Sequence, residues 1–205
     1  LNKGKFIFHY IMYWGEKDAS ISFCEDAYKE SNYIAEYYNT LTGISYILVS
    51  IPFLNTNINK LAIMGIVLGN GTIILHMTQR YYGQILDEGT MLILSYGILT
   101  NLNKRYNPKY ATFLILIYLK FYDNFKVFFT MFSFIIMCIV KETQNERKPE
   151  KRVLRNIFLT TQSLGLICWS GDQLLCDYTA DYYLHGWWHI LTSISLLIGF
   201  IMLKV

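Results

Sequence analysis

The sequence predicts an all-α membrane protein, a bundle of seven transmembrane helices built as one domain over residues 1–205. Three observations lead there. Hydrophobic residues make up 53% of the chain and charged ones 16%, where soluble domains carry about 25% charged residues. Mean hydropathy is positive, +0.27. The apolar residues are gathered into long runs bounded by polar clusters, and a chain this size has no soluble core able to hide that much apolar surface.

A helix crossing the hydrocarbon layer needs about 20 mainly apolar residues, with a lower limit near 17. Seven runs meet or approach that length: 36–54, 60–78, 86–103, 107–122, 124–140, 153–171 and 186–205. The fourth, NPKYATFLILIYLKFY, is the shortest. A re-entrant or interfacial segment and a full span with snorkelling Lys109 and Lys120 both fit it, and the span is preferred. Barrel strands would alternate over about 10 residues, and these runs do not.

Lys and Arg in short loops set the direction. One side holds Lys60, Lys104, Arg105, Lys109, the basic stretch from Lys141 through Arg147 to Arg155, and Lys204; the other holds Arg80, Lys120 and Lys126. The C-terminus is therefore expected in the cytoplasm, with the segment 1–35 lumenal or extracellular. The apolar run FIFHYIMYW at 6–14 has no small-residue cleavage site and does not read as a signal peptide. A net charge of +3, without a basic and aromatic patch, gives no footprint for nucleic acid. Cys24 and Cys176 fall on the oxidising side, where they can pair. Cys138 and Cys168 lie inside apolar segments and read as packing residues.

The chemistry collects at helix ends. His76 closes the second apolar segment, and His185 and His189, four apart in LHGWWHIL, open the seventh. Residues at i and i+4 share a helix face, and the topology brings all three imidazoles to the same non-cytoplasmic end. A lone interfacial histidine is commonly an amphipathic anchor. Three in register with acid nearby point instead to a metal site, because three neutral imidazoles leave zinc an open fourth position for water.

Asp87 and Glu88 head the third segment, and an ionisable group entering hydrocarbon costs roughly 2.5–3.5 kcal/mol on insertion scales. Asp87 is suited to orient a water and carry its proton; Glu88 reads as a solvated cap. Thr72 lies one turn before His76 on the same face, where its hydroxyl can serve an oxyanion or bond back to its own helix. Tyr37, Tyr38, Trp187 and Trp188 are placed to frame an entrance, although an interfacial aromatic belt is the commoner reason for such residues.

The blocks YWGEKDASISFCEDAY, SNYIAEYYNTLTG, HMTQRYYGQILDE, CWSGDQLLCDY and LHGWWHILTS occur in this order. Together they resemble the motif blocks of the alkaline ceramidases, seven-helix zinc amidases of internal membranes. The resemblance implies hydrolysis of the ceramide amide bond to a sphingoid base and a fatty acid, by a monomeric multi-pass protein of the endoplasmic reticulum or Golgi with its site near the lumenal side. It implies zinc on His76, His185 and His189, Asp87 as the catalytic aspartate, and Thr72 in place of the family's usual serine. It also implies a disulfide between Cys24 and Cys176. A calcium ion held by an Asp, a Trp carbonyl, a Glu, an Asn and a Glu corresponds to Ser22, Phe23, Glu25, Ala27 and Glu36, a partial match for which Asp18 or Asp26 could compensate. Two rival readings are a seven-helix lipid sensor with a structural zinc and a ceramide-binding homologue of poor turnover.

Overall fold

The computed structural model describes residues 13–144 and 148–204. Most of the apolar run at 6–14, together with Arg147 and Val205, lies outside the described residues. Among the described residues there is no strand, and each of the seven apolar segments forms helix.

The first segment is helix α1 (Tyr37–Thr42) followed by α2 (Ile44–Ser50) and a 3₁₀ turn, Ile51–Phe53. At Gly43 the backbone stays right-handed and its N–H donates to Asn39 O at 3.3 Å, so α1 and α2 form one near-continuous rod. Pro52, which has no N–H to donate, tightens its end into the 3₁₀ turn.

Helix α3 (Asn59–Thr78) stops at Gln79, whose left-handed backbone lets its N–H bond Leu75 O at 2.7 Å. Helix α4 (Tyr81–Leu102) starts almost at once. It begins five residues earlier than the apolar run predicts, because the polar turn YYGQI is helical too. Asp87 consequently sits in the second turn of α4 and not at its head.

Helices α5 (Lys109–Lys120), α6 (Phe125–Gln144) and α7 (Pro149–Leu174) follow, with Pro149 opening α7 where its missing N–H costs nothing. Helix α5 has a lysine at each end and 12 residues, a length of about 18 Å. A short helix α8 (Cys176–Thr179) and a 3₁₀ turn lead into α9 (Leu184–Lys204).

Helix α9 packs along α7 and against α1 and α2, which in turn lie on α3; α3 pairs with α4, and α4 carries α5 and α6. Two glycines decide how closely α3 and α4 meet. A Cβ on Gly71 would stand 2.8 Å from Asp87 N, and one on Gly83 2.7 Å from Leu75 Cα. Only hydrogen fits there, so the backbones touch.

Polar side chains are buried alongside an apolar core, and large apolar ones stand on the surface. Glu36, Asn39, Thr72, His76, Gln84, Glu88, His185 and His189 are buried, while Phe113, Leu116, Phe134, Met137 and Ile167 stand exposed on the outer faces of α5, α6 and α7. By length and composition α3 and α9 are long and apolar enough to cross a membrane.

The segment before α1 lies as a strap across one end of the bundle. Asp18 N and Ala19 N donate to Gln79 O, Ser20 N donates to Gln84 Oε1 at 2.8 Å, and Gln173 Nε2 donates to Ser22 O at 3.0 Å. Cys24 N donates to Asp172 Oδ1 at 3.3 Å, and Cys24 is disulfide-bonded to Cys176, 152 positions away in sequence. The expected bridge is formed.

Candidate metal centre and active site

His76 comes from the last turn of α3, and His185 and His189 from the first two turns of α9. A ligand nitrogen from each lies within 4.8 Å of the others, and the group could hold a metal ion. All three side chains are buried.

Their hydrogen bonds show which nitrogens are left over. Glu36 Oε2, a carboxylate that only accepts, lies 2.5 Å from His76 Nδ1, so the ring proton sits on Nδ1. Nε2 of His76 then carries its lone pair, buried and unpartnered. Thr42 Oγ1 lies 2.9 Å from His189 Nδ1 and 3.0 Å from the carbonyls of Tyr38 and Asn39. With the hydroxyl donating to a carbonyl, its oxygen accepts the Nδ1 proton of His189 and frees Nε2. His185 Nδ1 is also buried without a partner. Stranded lone pairs of this kind are costly in an apolar interior. Three converging neutral imidazoles, one oriented by a carboxylate, form a donor set suited to zinc.

Thr72 Oγ1 donates to Asp87 Oδ1 at 2.5 Å across the tight α3–α4 contact, and stands 3.0 Å from Leu68 O in its own helix. Its hydrogen is therefore directed at Asp87 or Leu68, and reaching an oxyanion requires the hydroxyl to turn. Asp87 lines a cavity of about 30 Å³ together with His185, His189, Trp188 and Glu88. Tyr46, Met91 and Phe132 also line a second, more apolar cavity of about 60 Å³ that runs deeper between α4, α6, α7 and α9. A largely apolar cavity that carries Asp87, Glu88 and two of the histidines on its wall thus adjoins a more apolar one. Trp188 is buried at the wall, whereas Trp187 faces outward.

Glu88 differs from the expectation of a solvated cap. It is buried, accepting from Gln84 Nε2 at 3.0 Å and from Tyr118 OH at 2.8 Å. The earlier start of α4 is the reason, since it places Glu88 a full turn after Gln84 and inside the bundle.

The five residues matched to calcium are engaged with other groups or offer no side-chain oxygen. Phe23 packs its ring on His76 (4.7 Å between centroids) and His185 (3.9 Å), covering the histidines. Glu36 orients His76 and accepts from Gln79 Nε2 at 2.7 Å. Glu25 accepts the N–H groups of Tyr38 (2.7 Å) and Asn39 (2.9 Å), capping α1, and burial pushes its carboxyl up from the usual value. Ser22 Oγ accepts from Lys17 Nζ at 2.6 Å, and Ala27 is exposed and has no oxygen to offer. Asp18 is tied to Arg80 at 2.9 Å, and Asp26 lies exposed beside Lys29. Calcium takes 6 to 8 oxygens; Ser22 offers a hydroxyl where the resemblance has a carboxylate, and Ala27 offers no side-chain oxygen.

Sequence reasoning did not assign Glu36 to His76, Thr42 to His189, or the ring of Phe23 to the covering of the site. The one available signal was an acid at the mouth of an apolar segment, which generally has a partner.

Residues 15–205 match the family model described as Ceramidase. The chain is 27% identical to alkaline ceramidase of Arabidopsis thaliana, over 89% of this chain and 82% of that protein. It is 23% identical to alkaline ceramidase 1 of Homo sapiens (92% and 83%) and 26% identical to alkaline ceramidase 3 of Mus musculus (89% and 82%). A family match over nearly the whole length, coinciding with the converged histidines and the Thr72–Asp87 pair, makes this chain a member of the ceramidase family.

Proposed function

We propose that this chain hydrolyses the amide bond of ceramide within a membrane, releasing a sphingoid base and a fatty acid. The observation that carries the reading is the group of three buried histidines, with His76 Nε2 and His185 Nδ1 unpartnered, and Asp87 beside it on the wall of a largely apolar cavity. Family membership supplies the substrate class, since the relatives are named alkaline ceramidases.

His76, His185 and His189 hold the metal. When bound, zinc lowers the pKa of water and polarises the carbonyl under attack. Glu36 keeps the His76 proton on Nδ1, so that Nε2 stays a ligand. Thr72 holds one oxygen of Asp87, leaving the other to take a proton from the attacking water and deliver it to the departing nitrogen. Phe23 shields the histidines from bulk water, which strengthens charge interactions inside. The deeper apolar cavity receives an alkyl chain.

The apolar outer faces and the polar side chains buried within the bundle support a multi-pass protein; in this reading seven helical segments cross the bilayer, α5 being the shortest and relying on Lys109 and Lys120 to snorkel from its ends. In this reading the strap and the disulfide lie on the lumenal side of an internal membrane, the endoplasmic reticulum or Golgi, and the C-terminus lies in the cytoplasm. The chain acts as a monomer.

The test is product release from a panel of ceramides by purified, detergent-solubilised protein, with zinc content measured alongside. Release of fatty acid and sphingoid base by the wild type, at about one zinc per chain, and not by Asp87→Asn supports the reading. Stoichiometric zinc with saturable ceramide binding and no turnover would overturn it in favour of a lipid sensor.

A further inference from the structure

The proposed mechanism uses Asp87, His185 and His189 from the wall of the cavity beside the metal centre, and it leaves Glu88 of the same wall without a task. Glu88 is 3% exposed and, among the described residues, makes no ion pair. Much of the remaining wall is rings and alkyl chains, Leu75, Met91, Phe125, Phe128 and Phe132 among them. An ionisable group in such a setting is costly and generally has a partner. Two buried donors hold the carboxyl in place: Gln84 Nε2 donates to Oε1 at 3.0 Å and Tyr118 OH to Oε2 at 2.8 Å. Gln84 is fixed in turn by the strap, since its Oε1 accepts from Ser20 N at 2.8 Å and its Nε2 donates to Ser20 Oγ at 2.7 Å. A carboxylate has about four lone-pair sites, so one donor on each oxygen leaves Glu88 able to accept again.

We propose that Glu88 accepts a hydrogen bond from a hydroxyl of the sphingoid base and so selects N-acylated amino alcohols over plain N-acyl amines. The inference rests on the ceramidase reading above and deepens it. Ceramide carries a primary and a secondary hydroxyl, one on each of the two carbons flanking the carbon that bears the amide nitrogen. A substrate with that nitrogen at Asp87 brings both hydroxyls to the level of the next residue of α4, whose Cα is about 3.8 Å away. A hydroxyl taken out of water without a partner is costly, and this wall has few acceptors to spare, because Asp87 serves the proton transfer and the histidine nitrogens serve the metal. A carboxylate accepts more strongly than a neutral oxygen. Gln84 and Tyr118 are positioning residues for it, and through Ser20 the strap fixes the acceptor as well as covering the histidines.

The experiment compares ceramide with two analogues, one lacking the primary hydroxyl and one lacking the secondary hydroxyl, on the full-length, detergent-solubilised protein. Turnover is measured as kcat/KM, and affinity is measured in the Asp87→Asn background, where binding is read without hydrolysis. With Glu88 in place, removing the hydroxyl it holds is expected to cost about 10- to 100-fold in both quantities, and removing the other much less. Glu88→Gln, which keeps the shape and leaves a neutral acceptor, is expected to cost ceramide about 10-fold and to leave the weaker analogue unchanged. A merely structural role would penalise all three ligands alike. Glu88→Asp, which withdraws the carboxyl by one methylene, carries the same comparison should Glu88→Gln fail to fold. Equal handling of ceramide and both analogues by the wild type overturns the proposal, and so does a loss in Glu88→Gln that is the same for every ligand. Lack of ceramide turnover would defeat the functional reading alone, because the binding arm still decides whether a hydroxyl and Glu88 act together. Absence of ceramide binding would defeat both.

Discussion

Glu36 Oε2 and His76 Nδ1 meet at 2.5 Å inside a region closed to solvent, joining residues 40 positions apart. The contact fixes the imidazole tautomer and raises the basicity of the nitrogen opposite. Glu36→Gln keeps a hydrogen-bonding group of the same shape and removes the charge. Zinc affinity is expected to fall about 10- to 100-fold, the usual effect of losing such a partner. Competition against a chromophoric chelator measures it, and unchanged affinity would show that the pair only packs.

Variants of Asp87 and Thr72 would separate the proposed chemistry from the proposed metal binding, because neither residue belongs to the histidine group. Asp87→Asn is expected to cost about 10²- to 10⁴-fold in kcat with zinc content unchanged. Thr72→Val, which keeps the shape and loses the donor, should lower kcat with little effect on KM. Thr72→Ser should preserve or raise turnover, and a large loss in that variant would show that the methyl group, not the hydroxyl, is what the position needs.

Much of this architecture is written locally in the sequence. The seven helical segments are legible because each is a long apolar run, and His185 and His189 because spacing by four defines a helix face. The first turn of α4 was missed because Tyr81, Tyr82, Gly83 and Gln84 are not a hydrophobic run, and that turn is what carries Glu88 inside. Contacts such as Phe23 on His185 join residues more than 150 positions apart through the path of the strap. No periodicity records that path. Glu36 misled for a related reason, since a carboxylate beside an apolar segment signals a partner without saying whether it is an ion or a histidine.

The disulfide closes a loop of 152 residues, for which chain entropy allows up to about 5 kcal/mol. In a membrane-inserted chain, as proposed, the unfolded state is already restricted, so the measured contribution should fall below that ceiling. Replacing Cys24 and Cys176 together by Ala is expected to lower Tm and to increase proteolysis between residues 13 and 35 before the helices melt. Equal protease resistance would show that the strap's hydrogen bonds to Gln79 O and Gln84 Oε1, with the one from Gln173 Nε2, hold it without the bridge.

Gly71 and Gly89 offer a matched test of how the Thr72–Asp87 pair is brought together. A Cβ at Gly71 would meet the α4 backbone at 2.8 Å from Asp87 N and 3.0 Å from Asp87 Cα, and backbone cannot move aside as a side chain can. Gly71→Ala must therefore push α3 and α4 apart at the level of the Thr72–Asp87 hydrogen bond. Overpacking of this kind costs about 1–3 kcal/mol, and a displacement approaching 1 Å at a reacting group can cost about 10²-fold in rate. At Gly89 the nearest atoms to an added Cβ are Tyr118 Cε1 at 3.8 Å and Ile115 Cδ1 at 3.9 Å, ordinary contact. Gly89→Ala should instead gain helix stability, on the order of 0.5–1 kcal/mol, with turnover unchanged. Paired measurements of Tm and kcat decide the matter. Equal behaviour of the two variants would mean that the α3–α4 contact is loose and that the hydrogen bond between Thr72 and Asp87 does not depend on it.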